Sequence, residues 1–150
     1  MGGRSDEQPP VAADPLALPR AVPAGDRGLV VAIFFGGMAG TLLRLGLDEL
    51  LAHGPGRWPW ATLLANVAGA ALLGFVLVRF SSRAPAPSRA RALLGTGFCG
   101  ALTTFSTLQR ELLAMLDGGR TGLAVSYVAV SLVAGLAGVL LAVGLSGGRR

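Results

Sequence analysis

Beyond residue 27 the chain is organised as four long apolar runs separated by short polar or proline- and glycine-rich connectors. The first run is uncharged from Gly28 to Leu43 and continues past Arg44 to Asp48. The second is uncharged from Trp58 to Val78, and the fourth from Thr121 to Gly148. The third is uncharged from Ala92 to Gln109 and then passes Arg110 and Glu111 into Leu-Leu-Ala-Met-Leu. A hydrocarbon core of ~30 Å takes about 20 helical residues to cross. The first run reaches that length only with Arg44 and Asp48 near the interface or facing protein. Short alternating segments with regular turn signals, the mark of membrane strands, do not occur. The pattern predicts an all-α membrane protein with four transmembrane helices at roughly 28–51, 59–79, 91–117 and 121–146.

The connectors support these boundaries. Trp58-Pro59-Trp60 places two interfacial aromatics and a proline at a helix start. Residues 79–91 form a basic, proline-rich linker, and Asp-Gly-Gly-Arg at 117–120 is a tight turn. Ahead of the four-helix domain at 28–148, residues 1–27 carry five prolines and mixed charges, and are expected to be a disordered tail. Charges of both signs run through that tail, which is unlike a signal peptide.

Composition narrows the class. Of 150 residues 52% are hydrophobic and 14% charged. Soluble domains carry about 25% charged residues. The net charge is +5 and every basic residue is arginine, but the arginines sit at the ends of apolar runs instead of forming an aromatic-interleaved basic face. Nucleic acid is therefore not the expected partner. One cysteine, Cys99, excludes an internal disulfide and is read as a small packed side chain. The one histidine, His53, is read as a solvated loop residue.

Gly95–Thr107, GTGFCGALTTFST, opens with G-x-G-x-x-G. A dinucleotide loop would need a preceding strand and an acidic residue about 20 positions on. Here no strand-like segment precedes it, and Arg120 stands at the later position. Helix packing explains the small-residue pairs Gly36–Gly40 and Ser131–Gly135. The third run differs, because its glycines are followed by Thr103, Thr104, Ser106 and Thr107. Hydroxyls can satisfy freed backbone groups, so a functional break in the third helix is expected.

The other polar groups inside the runs are mostly neutral. Asn66 lies midway along the second run, with Thr62 one turn earlier. Tyr127, Ser131 and Gly135 form a stripe at i, i+4, i+8. Arg44 is placed to pair with Asp48, and Glu111 with a neighbouring arginine. No carboxylate sits at the centre of a span, which disfavours a proton-coupled antiporter. Neutral donors suit passive passage of a small anion, since they replace part of its hydration shell without trapping it.

These residues carry a family resemblance. GFCGALTTFSTLQRE at 97–111 resembles the third-helix signature of the Fluc (CrcB) fluoride channels, G-x-x-G-G-x-T-T-F-S-T-F-x-x-E. GGMAGTLLR at 36–44 and TLLANVAGAALLGF at 62–75 resemble the first- and second-helix patterns of the same family. The resemblance implies a non-enzymatic, fluoride-selective passive channel of the cell membrane, built as an antiparallel, dual-topology-type dimer. It further implies a structural sodium ion at the dimer interface, held by the backbone carbonyls of Gly100 and Thr103. The fluoride pathway it implies comprises Asn66, the ring edge of Phe105, Tyr127 and Ser131, with Thr62 and Glu111 as weaker candidates. Three positions depart from the family pattern: Leu108 replaces a second phenylalanine, Gly135 stands where a serine can occur, and Ala101 replaces a glycine at little cost in a flexible turn.

With four spans, Arg4, Arg20, Arg27, Arg79, Arg83, Arg89, Arg91, Arg149 and Arg150 share a side with both termini, against Arg57 and Arg120 in the other loops. The positive-inside rule places that side in the cytoplasm. The expected partner in an antiparallel dimer is a second copy or an oppositely oriented paralogue, and a bias this strong raises the paralogue as a hypothesis, since a homodimer inserted both ways goes with weak bias. Two rival readings are weaker. A small four-helix drug exporter needs a first-helix carboxylate, which is absent, and a non-transporting assembly subunit would have no use for Asn66 and the TTFST stretch at membrane depth.

Overall fold

The computed structural model describes residues 26–54, 57–81 and 88–147. Most of the expected tail (1–25), the middle of the linker (82–87) and the last three residues lie outside the described residues, so the tail reading and the arginines at 4, 20, 83, 149 and 150 are not placed.

All regular structure among the described residues is helical. Helix α1 spans Arg27–Leu50 and starts where the Asp26 carboxylate accepts from Gly28 N–H at 2.9 Å. Helix α2 spans Trp60–Ser81, directly after a buried Pro59 whose lack of an N–H costs nothing at a helix start. Ser88 caps the next segment, which runs through α3 (Arg89–Arg91), a π-helical stretch (Ala92–Cys99) and α4 (Gly100–Leu102). Helix α5 spans Phe105–Asp117 and α6 spans Thr121–Gly147. The α5–α6 turn closes with Arg120 N–H on Met115 C=O at 2.8 Å and Gly119 N–H on Leu116 C=O at 2.9 Å. Gly119 there has φ 70°, a conformation that favours glycine.

Three helices, Arg27–Leu50, Trp60–Phe80 and Thr121–Ser146, are long and apolar enough to cross a membrane. The third apolar run is two half-helices instead of one span. Thr103 (φ −77°, ψ 151°) and Thr104 (φ −148°, ψ 121°) are extended between α4 and α5. The expected break thus lies just beyond the glycines. Gly95, Gly97 and Gly100 keep helical backbone.

The glycines serve a close helix crossing. A Cβ on Gly36 would collide with the Leu93 carbonyl oxygen, one on Gly40 with that of Phe98, and one on Gly97 would lie 2.6 Å from that of Ile33. Backbone meets backbone between α1 and the π-helical stretch, and no side chain fits between them. On the opposite side α2 packs along α6, where Gly74 faces Val139 and Gly138 faces Ala71 and Val67. Leu63, Met115, Ala124 and Tyr127 form a core that ties α5 to α2 and α6. Outward faces of α1 and α6 remain strongly apolar, with Val30, Phe34, Leu132 and Leu141 all exposed. Contiguous apolar surface of this extent suits lipid or another protein surface better than water.

Candidate functional site: the polar groups around the helix break

Two polar clusters lie on one side of α2, one helical turn apart. The first is the break itself. Asn66 Nδ2 donates to Thr104 C=O at 3.0 Å, and Thr104 N–H donates to Asn66 Oδ1 at 2.7 Å. The carboxamide thus pairs with both backbone groups of the extended residue, as a neighbouring strand would. Thr103 N–H and Thr103 Oγ1 both donate to the Cys99 carbonyl, at 3.1 and 3.0 Å. The Thr103 methyl fills the space a side chain at Gly69 would need. Thr104 Oγ1 accepts from Thr107 N–H at 3.2 Å and donates to Thr107 Oγ1 at 3.0 Å, capping α5. The non-helical backbone is therefore satisfied by Asn66 of α2 and by its own hydroxyls.

The second cluster gathers three of the expected residues around one carboxylate. Thr62 Oγ1 donates to Glu111 Oε1 at 2.6 Å, and Tyr127 O–H donates to Glu111 Oε2 at 3.0 Å. Thr62 is 2% exposed and Tyr127 is 0% exposed, so these hydroxyls are committed to each other's acceptor instead of to water. Trp58 packs edge-on against Tyr127, with ring centroids 5.5 Å apart and planes at 82°. One turn beyond Tyr127 the Ser131 Oγ is buried with no hydrogen-bond partner, and Trp58 Nε1 is likewise buried and unpartnered.

Two sequence expectations change. Glu111 pairs with hydroxyls and not with an arginine, because α5 turns its carboxylate inward to α2 and α6. Arg44 makes no ion pair with Asp48 among the described residues; its Nε is buried and unpartnered. His53 is exposed and Cys99 is a buried free thiol, as expected.

The remaining expected residues are placed apart. Phe105 starts α5 with its side chain 72% exposed. Gly100 is exposed with open space on its side-chain side, and Thr103 is half-buried next to it in the break. Gly135 likewise has nothing within 4 Å of a would-be Cβ. Leu108 packs against the Leu63–Met115–Tyr127 core. Thr104 was missed as a site residue by sequence reasoning. Its signal was present, since a threonine just ahead of a helical run is an N-cap candidate.

Comparison with known proteins bears on the family resemblance. The "Fluoride-specific ion channel FluC 1" of Mycolicibacterium paratuberculosis is 49% identical over 113 residues, covering 75% of this chain and 86% of the relative. The protein of the same name from Mycobacterium bovis is 46% identical over 121 residues, covering 81% and 92%. The "Fluoride-specific ion channel FluC 2" of Bacillus subtilis is 44% identical over 119 residues, covering 79% and 86%. These relatives are named as channels and not as enzymes. The pattern of the CrcB-like protein, Camphor Resistance (CrcB) family matches residues 31–145. With that match spanning α1 to α6, including the break and both polar clusters, the chain belongs to the CrcB-like family.

Proposed function

We propose that the chain forms a fluoride-selective passive channel that lets the anion leave the cytoplasm down its electrochemical gradient and so lowers fluoride toxicity. The observation that carries the reading is the part-buried run of hydroxyl and amide donors at Asn66, Thr62, Tyr127 and Ser131, set against a satisfied break in the third apolar run. A small anion entering that run meets donors without fixed positive charge. The Thr62 and Tyr127 protons already serve a carboxylate, so an anion taking them exchanges one acceptor for another. The Glu111 carboxylate competes for these donors and its charge opposes a tight hold, which disfavours trapping. An interior-negative potential drives an anion outward with about 2.3 kcal/mol per charge per 100 mV.

Phe105 presents its ring to the outside of this chain. A second, antiparallel chain supplies the surface against which that ring edge, electropositive by its quadrupole, lines a pathway. The arginine distribution favours an oppositely oriented paralogue in that place over a second copy. This chain sits in the plasma membrane with both of its termini cytoplasmic.

The resemblance also calls for a sodium ion on the Gly100 and Thr103 carbonyls. Donor chemistry fits it: main-chain oxygens at the C-terminal end of a half-helix suit a hard cation. In a continuous α-helix the Gly100 carbonyl would accept from Thr104 N–H, and here that N–H is turned to Asn66. When bound, the ion supplies positive charge that offsets the half-helix end.

Fluoride efflux from liposomes holding the purified protein tests the proposal, with potassium and valinomycin collapsing the voltage. Rapid fluoride release with chloride retained is expected from the chain alone or with an oppositely oriented paralogue. Retention of fluoride in both preparations would sink the channel reading.

A further inference from the structure

We infer that Asn66 is a positioning residue for the cation site, in addition to any contact with the anion, because it holds the amide that would close the Gly100 carbonyl in a continued helix. The acceptor of Thr104 N–H depends on whether the helix continues past Leu102. In a continued α-helix it is the Gly100 carbonyl, the i−4 partner. Here it is Asn66 Oδ1, at 2.7 Å. The preceding step of the ladder is still helical, since Thr103 N–H bonds Cys99 C=O at 3.1 Å. The helix therefore ends where Asn66 captures the next amide. The return bond from Asn66 Nδ2 to Thr104 C=O at 3.0 Å fixes the extended conformation at both ends of the residue.

The consequence is a link between two sites on different helices. Removal of the Asn66 carboxamide orphans both backbone groups of a half-buried residue, which is costly in an apolar surround. The nearest relief for the amide is the Gly100 carbonyl, and forming that bond turns one lone pair of the oxygen away from a cation. Gly100 opposes nothing sterically, as its side-chain side is open. Asn66 thus keeps the Gly100 oxygen available by holding the Thr104 amide proton. It acts from α2, one turn from Thr62 in the anion run, so the two ion sites share one side chain.

The inference rests on the proposed sodium site, and the experiment separates failure of one from failure of the other. The melting temperature of the assembled protein in detergent is measured in sodium and in potassium at equal ionic strength, for wild type, Asn66→Leu, Asn66→Asp and Thr62→Val. Wild type and Thr62→Val are expected to gain stability in sodium over potassium. Asn66→Leu is expected to show a sodium affinity about fivefold weaker, equivalent to about 1 kcal/mol, or to lose the shift. Asn66→Asp keeps an oxygen acceptor for Thr104 N–H and is expected to retain the sodium-specific shift; a general gain from its added charge cancels between the two cations. If Asn66→Leu does not assemble, Asn66→Asp carries the test alone, and loss of its shift overturns the inference. A full shift in Asn66→Leu overturns it too, with the sodium site left standing. No sodium-specific shift in wild type removes the cation site and the inference with it.

Discussion

Thr62 and Glu111, 49 residues apart, are joined by a 2.6 Å hydrogen bond that crosses from α2 to α5. It brings a carboxylate from what reads as the polar end of the third run to a wall of neutral donors. Tyr127 completes the arrangement from α6, so three helices converge on two carboxylate oxygens. Glu111→Leu should leave both hydroxyls buried and unpaired, at about 1–3 kcal/mol each. The expected outcome is a markedly lower melting temperature and loss of fluoride efflux. Tyr127→Phe removes one bond of the pair and should cost about 1 kcal/mol. Equal stability of Glu111→Leu and wild type would show that the carboxylate does not organise this cluster.

The glycines of the α1 crossing can be told apart from those that merely tolerate substitution. Gly36→Ala drives a methyl into the Leu93 carbonyl, which is backbone and cannot step aside. Overpacking of this kind costs about 1–3 kcal/mol. Gly46→Ala meets nothing within 4 Å in the same helix and should be neutral or stabilising by about 0.5–1 kcal/mol. Melting curves of the two variants, measured side by side, are expected to shift in opposite directions or to differ by at least the larger cost.

The cap on α5 makes a third prediction. Thr104→Ala loses the hydroxyl that accepts from Thr107 N–H. A loss of about 1 kcal/mol is expected. Thr104→Ser keeps the oxygen and should restore most of it. If serine and alanine prove equally harmful, the methyl and not the cap is what matters.

Phe105 separates transport from folding. With its ring 72% exposed in this chain, Phe105→Ala should change the folding of the helices within about 0.5 kcal/mol, as surface substitutions do. Efflux from liposomes should nevertheless fall by at least tenfold on the proposed pathway, a barrier change of about 1.4 kcal/mol. Unchanged efflux would remove Phe105 from the pathway.

Much of the site was legible before any coordinates. Asn66 and Thr62 announce themselves as amide and hydroxyl in an apolar run, and Tyr127 and Ser131 by their helical spacing. What those residues bond to was not legible. Arg44 and Glu111 were both read as members of local ion pairs, from spacing alone. The structure leaves Arg44 Nε without a partner and gives Glu111 to hydroxyls 49 and 16 residues away. Leu108, which stands where the resemblance has a second phenylalanine, packs partly buried against the core that includes Tyr127. Local spacing ranks only local partners, and a buried carboxylate takes whichever donors the helix crossings bring within reach.

The sequence by itself determined the four apolar runs, the tight turn at Gly118 and Gly119, and the presence of a break in the third run. Length against bilayer thickness, glycine's freedom at positive φ and the hydroxyl-rich stretch are all local properties of the chain. Only the tertiary structure decided where the break falls and what the glycines do. The backbone stays helical through Gly95, Gly97 and Gly100, because α1 packs against it closely enough to exclude side chains. It leaves the helix at Thr103 and Thr104, where Asn66 on another helix pairs with both backbone groups of Thr104. Which partner a backbone group meets there is a matter of distance across the fold, and distance across the fold is what a linear sequence does not contain.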